Sequence, residues 1–275
     1  MARLEPASSL STAELAELFN AGYEGYVIPF RLSEEAMRFM LDAFDYDLDA
    51  SLVAVDGDGP VGFALAALRG AEAWCGGIGV VAARRGTGLG ERLMRALLDA
   101  ARARGAERMR LEVIDRNAAA RGLYEKLGFR HVRDLEVWTL ETPADAEPAP
   151  APADEAHAWI RARRPADEPW QRADRTLERL RAADPPPEGV RVDGAAAVIR
   201  VTPPRVSVVQ AAADDAGAAE RLLRAAAARG ESLHVLNLPA GDLLGDALAA
   251  LGGRVELRQL ELELELELEL ELELD

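Results

Sequence analysis

The segment Val80-Val81-Ala82-Ala83-Arg84-Arg85-Gly86-Thr87-Gly88-Leu89-Gly90 constrains the fold of this chain more than any other. An apolar run ends there in a glycine-rich turn. Glu91-Arg92-Leu93-Met94 follows at once, and Leu89, Leu93 and Leu97 have the spacing of one helix face. The next apolar stretch, 108–114, reads as a strand. A helix over 118–127 and a strand over 131–140 come after it. Strand, helix, strand, helix, strand in this order implies an α/β fold with a mixed, partly parallel sheet covered by helices.

Upstream, residues 11–21 and 33–44 carry helical apolar spacing, and each is opened by a serine able to cap it. Residues 51–55 and 61–68 flank Asp56-Gly57-Asp58-Gly59, a strong hairpin signal, and 72–81 is a further strand. Residues 142–156, TPADAEPAPAPADEA, contain four prolines alternating with alanines and acids, which predicts a solvated linker. Beyond it, strands at 190–192, 195–201 and 205–210, a helix at 216–229, a strand at 233–238, a helix at 242–251 and a last strand from about 254 repeat the first half's order. The expected division is a domain over 1–143, a linker over 144–156, a second domain over 157–265 and an acidic Glu-Leu tail over 266–275.

Acids outnumber bases 48 to 32, for a net charge of −16, which argues against a nucleic-acid or anionic-membrane partner. Half of that net charge lies in residues 261–275, which hold eight acids and no base. Leucine and glutamate alternate there with a period of two, a strand pattern. Its first part is expected to complete the second domain's sheet. Cys75 is the only cysteine, and His131, His157 and His234 share no ligand spacing, so no metal site is expected. No apolar run approaches the ~18 residues of a membrane span, and no leader pattern opens the chain; a cytoplasmic protein is expected.

Glycines in the 85–90 turn let the backbone approach a ligand closely and point successive N–H groups into one concavity. The helix that follows adds its positive dipole end, so the site suits a pyrophosphate. Arg85 can supply a formal charge beside it. A plain strand-to-helix turn would look similar. The second motif, Asn117-Ala118-Ala119-Ala120-Arg121-Gly122-Leu123-Tyr124-Glu125-Lys126-Leu127-Gly128-Phe129, narrows the choice. By themselves, Asn117 is also a helix cap, Gly128 a helix stop and Tyr124 a core residue.

Together, Arg85-x-x-Gly88-x-Gly90 and Asn117, Tyr124, Gly128-Phe129 resemble the two signature motifs of the GNAT superfamily of acyl-CoA N-acyltransferases. The resemblance is strong over 80–140 and looser over 1–79. It implies a GNAT-like fold and an N-acetyltransferase that moves an acetyl group from acetyl-CoA, the co-substrate, to a primary amine by direct attack. Arg85, Gly86, Thr87, Gly88, Leu89 and Gly90 would bind the CoA pyrophosphate, mainly through backbone amides. Ile78 to Val80 would pair strand-like with the pantetheine arm where the fourth and fifth strands splay apart, and Asn117 would contact that arm. Tyr124 would protonate the departing thiolate, and the Val80 N–H would serve the oxyanion.

Two departures stand out. Ala82 replaces a frequent proline, and the fourth strand, Trp74-Cys75-Gly76-Gly77-Ile78-Gly79, lacks the carboxylate many members use as base. Glu24, Tyr26, Asp115 or an ordered water are the candidates for that role. Tyr26 and Phe30 either line an acceptor pocket or pack the loop. The second half lacks Arg-x-x-Gly-x-Gly and places Asp214 and Asp215 where an anion would sit. It looks like a degenerate GNAT-like domain in a tandem arrangement, with Trp170 as an interface plug or local anchor. The acceptor is a small-molecule or peptide amine, and the chain is a monomer or homodimer. The competing reading is a non-catalytic acyl-CoA-binding sensor or scaffold, favoured by the missing strand carboxylate and opposed by Tyr124.

Overall fold

The computed structural model describes residues 2–26, 31–164 and 167–266. The chain divides into two compact units, residues 1–132 with 261–275, and residues 133–260.

In the first unit, β1 (Arg3–Pro6) leads to α1 (Thr12–Gly22) and α2 (Glu34–Ala43). Both helices start as the sequence predicts. The Ser11 hydroxyl accepts from the Glu14 N–H while Glu14 reaches back to Ser11, and the Ser33 hydroxyl accepts from the Ala36 N–H. Then come β2 (Tyr46–Asp56), β3 (Gly59–Arg69), β4 (Glu72–Val80), α3 (Leu89–Arg102), β5 (Arg108–Ile114), α4 (Ala118–Lys126) and the start of β6 (Arg130–Glu141). Strands β1 to β4 are antiparallel neighbours, and β4 pairs with β5 in parallel. Leu15, Leu18, Phe19 and Met37 bury one face of the helices on Val53, Phe63 and Leu65. Helix α3 buries Leu89, Leu93, Met94, Leu97, Leu98 and Ala101. One face of α1 comes very close to β4: a Cβ on Gly22 would lie 2.7 Å from the Phe63 ring and 3.2 Å from Gly79 Cα.

The sheet of this unit runs β1-β2-β3-β4-β5 and then takes a strand from the far end of the chain, Glu261–Glu265. This corrects the expectation that the front of the Glu-Leu repeat belongs to the second domain. Arg110 on β5 meets Glu263 at 2.6 Å and Arg108 meets it at 3.4 Å, while Leu266 N–H donates to the Glu107 carbonyl at 2.7 Å. Leu262 and Leu266 are buried. The acidic repeat therefore begins as a strand whose carboxylate finds two arginines on β5.

The second unit contains the rest of β6, then β7 (Pro150–Ala151), α5 (Ala153–Arg161), α6 (Asp174–Leu180), β8 (Glu188–Val192), β9 (Ala195–Thr202), β10 (Arg205–Ala213), α7 (Ala216–Ala227), β11 (Ser232–Pro239), α8 (Leu243–Ala250) and residues 254–260 of β12 (Arg254–Glu265). Its sheet runs β6-β11-β10-β9-β8-β7, with β10 and β11 parallel. Alanine- and leucine-rich α7 and α8 pack on Leu233, Val235 and Leu238 of β11. The strand and helix order expected for this half is present, and the 144–156 segment differs from the expected free linker. Pro150 pairs with Val190 at a sheet edge, where its missing N–H is harmless, and Pro152 occupies the position just before α5. The unit boundary at Val132 falls inside β6 and ahead of residue 143.

Candidate functional site

The parallel pairing of β4 with β5 runs from Glu72↔Arg108 to Cys75↔Leu111 and stops. Both strands continue, β4 to Val80 and β5 to Ile114, so a gap opens between them. The register of β4 on β3 shifts between Ala66 and Leu65, leaving Gly76 as a bulge at the vertex of that gap. Val81 N–H donates to the Val61 carbonyl at 3.0 Å, and Val80 is opposite Gly62. Alternation along an antiparallel pair then turns the N–H and C=O groups of Val80 and Ile78 away from β3, toward the gap. Ile78 N–H there meets the Tyr23 hydroxyl, and the Val80 carbonyl accepts from Arg85 Nε at 2.9 Å.

The glycine loop follows directly. Gly86 and Gly88 have φ of +75° and +82°, and a Cβ on either would meet nothing within 4 Å. These φ values favour glycine, and the open space above them is a cradle. Gly88 occupies the N-cap position of α3 without any side-chain cap, so the first-turn N–H groups face outward. Thr87 Oγ1 donates to the Arg84 carbonyl at 2.7 Å, bracing the turn, and Leu89 is buried beneath it. A Cβ on Gly90 would lie 4.0 Å from both Leu123 of α4 and Val80 of β4. Backbone donors at a dipole's positive end fit the phosphates of a CoA-type ligand.

The side chains of both arginines of the loop have partners within the protein. Arg84 pairs with Asp56 at 2.8 Å and Asp58 at 2.6 Å, locking the β2–β3 hairpin. Besides the Val80 carbonyl, Arg85 donates to the carbonyls of Gly22 at 3.0 Å and Glu24 at 2.7 Å, tying the end of α1 to the loop. Carbonyl clusters attract a guanidinium as an anion does, and the sequence alone does not separate the two.

Tyr124 is buried on α4 with its ring 5.6 Å from Phe129. Burial, then charge from Cys75, Tyr23 and Tyr26, pushes its phenol well above the usual range, so it remains a proton donor. Asn117 caps α4 by accepting from Ala120 N–H at 3.2 Å, and its amide donates to the Tyr26 hydroxyl at 3.4 Å. Tyr26 stacks edge-on against Tyr23 at 4.8 Å. Ile78, Val80, Asn117 and Tyr124 are thus placed around the gap and residues 85–90 at its mouth. Phe30 lies outside the described residues. Burial pushes the Cys75 thiol up to about 12, so it stays protonated and unreactive.

Glu24 is exposed, with its carbonyl on Arg85, and Asp115 gives its carbonyl to Arg121 at 3.0 Å. A carboxylate absent from the sequence-based candidates is better placed. Glu112 on β5 is one residue beyond the last β4–β5 pair; its Oε2 accepts from Trp74 Nε1 at 2.7 Å, and its charge acts on Cys75 and Tyr46. Its signal is an acid between apolar neighbours in Leu111-Glu112-Val113, ordinary in a half-buried strand and informative only once the pairing is known to end there.

The second unit has a corresponding gap. Pairing of β10 with β11 stops at Val208↔Val235, although β10 reaches Ala213 and β11 reaches Pro239. Here the chain itself fills it with a 3-10 turn, Trp170–Arg172. Gln210 on β10 donates to the Arg172 carbonyl at 2.6 Å, Arg172 Nη1 reaches the Leu236 carbonyl at 3.4 Å, and Asn237 on β11 donates to Gln171 at 3.1 Å. Helix α7 is closed by Asp215, which accepts from Ala218 N–H at 2.8 Å.

In the first unit, then, a splayed parallel strand pair opens onto a glycine loop and a helix N-terminus with no side-chain cap. Residues 13–129 match the model of the acetyltransferase (GNAT) family. The chain is 31% identical over 137 residues to a Bos taurus thialysine N-epsilon-acetyltransferase, covering 46% of this chain and 78% of the relative. It also resembles the solved GCN5-related N-acetyltransferase of Sphaerobacter thermophilus, with a TM-score of 0.72 and 18% identity over 97% of this chain and 96% of that one. A tandem GNAT protein from the clavulanic acid biosynthesis pathway superposes with a TM-score of 0.68 and 13% identity, over 96% and 99% of the respective chains. The chain belongs to the GNAT acetyltransferase family, and its fold resembles that of a tandem GNAT protein along nearly its whole length. It is an acetyl-CoA-dependent acyltransferase, and enzymes of this family acetylate amines.

Proposed function

We propose that the first unit transfers an acetyl group from acetyl-CoA to a primary amine by direct attack, and that it holds the chain's donor site. The observation that carries this reading is the gap beyond Cys75↔Leu111, which leads into the uncapped N-terminus of α3. The amides of residues 85–90 receive the pyrophosphate, and the Ile78–Val80 edge holds the pantetheine arm. Asn117 sets the neighbouring end of α4. Acetyl-CoA, when bound, supplies the activated thioester.

The amine arrives protonated, with an aliphatic pKa near ~10.4. Glu112 takes one proton, exposing the nitrogen lone pair, and the nitrogen forms its bond to the acetyl carbon as the C–S bond breaks. Val80 N–H faces the developing oxyanion. Tyr124 gives its proton to the departing sulfur and is reprotonated from the nitrogen, which sheds a second proton on becoming an amide. The net products are the N-acetyl amide, CoA thiol and one proton released to solvent. Holding both reactants in one gap supplies further acceleration.

The test is a panel of thialysine, L-lysine, spermidine and an alanine-initiated peptide, read by free CoA release. Turnover of at least one amine is expected, and Tyr124→Phe should lower kcat by about 10²-fold, the lower end for a lost general acid, at constant CoA affinity. No turnover with any amine, or unchanged kcat in Tyr124→Phe, contradicts the reading. Acetyl-CoA at 100 times its Kd should also stabilise the fold by about 2.7 kcal/mol.

A further inference from the structure

The vertex of the gap contains a polar group that neither the fold nor the donor site uses. Tyr46, the first residue of β2, packs on the α1–α2 side of the sheet, its ring 5.6 Å from Trp74. Its hydroxyl is buried and has no hydrogen-bond partner among the described residues. A buried hydroxyl left in that state costs free energy, so folding alone does not account for it. Phenylalanine would fill the same space.

Strand β4 makes room for this hydroxyl. A Cβ on Gly76, the bulge residue, would collide with Tyr46 Oη and with the Trp74 ring. The hydroxyl therefore lies against the first residue past the final β4–β5 pair, where the gap begins. Glu112 enters the same place from β5, held by Trp74 Nε1 at 2.7 Å. Phe44 meets the Trp74 ring edge-on at 5.9 Å, so aromatic faces wall the vertex. Burial, then charge from Cys75, Tyr23 and Glu112, pushes the Tyr46 phenol well above its ordinary range, so it is neutral at any working pH.

We propose that Tyr46 Oη and the Glu112 carboxylate together seat the acceptor's ammonium group, making Tyr46 a specificity-determining residue for protonated primary amines. The proposal rests on the acetyl-transfer reading above. A neutral phenol oxygen and a carboxylate both accept hydrogen bonds, and a primary ammonium brings three N–H donors to share between them. An alcohol brings one donor and no charge. Aromatic walls favour a cation further. Proton loss to Glu112 then leaves the nitrogen held by Tyr46, facing the thioester end of the gap.

The experiment compares wild type with Tyr46→Phe, using whichever amine of the panel wild type turns over fastest. Expected is a tenfold to hundredfold fall in kcat/KM for that amine, carried mainly by its KM, with the KM for acetyl-CoA and the acetyl-CoA-induced rise in Tm unchanged. Thermal stability without ligand should equal or exceed wild type, because the substitution removes an unpaired buried hydroxyl. Unchanged kcat/KM for the amine overturns the proposal. So does a loss of stability or of acetyl-CoA binding in Tyr46→Phe, which would give the hydroxyl a structural role. Failure of the acetyl-transfer reading looks different: wild type itself would turn over no amine and show no acetyl-CoA shift.

Discussion

Past Cys75↔Leu111 in the first unit, the strands part and lead to an α3 N-terminus with no side-chain cap. Past Val208↔Val235 in the second, the strands also part, but Gln210, Leu236 and Asn237 grip the chain's own Trp170–Arg172 turn, and Asp215 caps α7. The same strand geometry is thus compatible with a ligand slot or with a packed core. What differs is the supply of polar partners. In the first unit glycines leave backbone donors facing outward; in the second, Asp215 takes an α7 N–H and the polar groups of the gap bond to the chain's own turn. Retaining a fold does not retain its chemistry, because the chemistry depends on which hydrogen-bonding groups are left unsatisfied.

This contrast can be broken from either side. The largest effect is expected in the filled gap. Arg172 is buried and pairs with Glu168 at 3.0 Å. Arg172→Ala strands that carboxylate and should cost about 3 kcal/mol in equilibrium unfolding, the lower end for a broken buried pair, since Arg164 still faces Glu168 at 3.2 Å. It should create no second acetyl-CoA site; a second site would mean that the turn alone keeps the slot shut. Next, Gly88→Val forces a β-branched residue into a φ of +82°. At about 1–2 kcal/mol of strain, acetyl-CoA affinity measured by titration should fall about fivefold to thirtyfold. Unaltered affinity would remove the loop from the donor site. Asp215→Ala in the second unit loses only a helix cap, about 1 kcal/mol by chemical denaturation, and should leave acetyl-CoA binding untouched.

The smallest effect is in the pH profile. Raising the Tyr124 pKa extends its protonated, donating form to higher pH. The kcat profile of wild type should therefore show no alkaline decline from loss of this acid below pH ~10. A decline at pH 8 that disappears in Tyr124→Phe would contradict the sign of that shift.

Much of the first unit is legible in the sequence because local chemistry and fold agree there. Ser11 and Ser33 cap helices, Gly86 and Gly88 need their left-handed turns, and Asn117 opens α4. The less legible features are those decided by partners distant in sequence. That the Arg85 guanidinium bonds to the carbonyls of Gly22 and Glu24 depends on partners some sixty residues away, which no local pattern displays. Glu112 and Tyr46 are ordinary strand residues until pairing is seen to end one residue before one of them, with a glycine bulge making room for the other. The prolines of 144–156 look like linker because composition does not distinguish a free proline from one at a sheet edge or helix start. Likewise, alternation in the Glu-Leu repeat predicts a strand, but only Arg108 and Arg110 decide which sheet receives it.

The central claim is that the chain holds one donor site, in its first unit, while the second unit's equivalent is filled by its own residues. Calorimetric titration of the full chain with acetyl-CoA tests it most directly, carried out on wild type and on Gly88→Val. The account predicts one acetyl-CoA bound per chain, with that single binding event weakened in the variant. Two acetyl-CoA molecules per wild-type chain, or one whose affinity is indifferent to Gly88→Val, would contradict it.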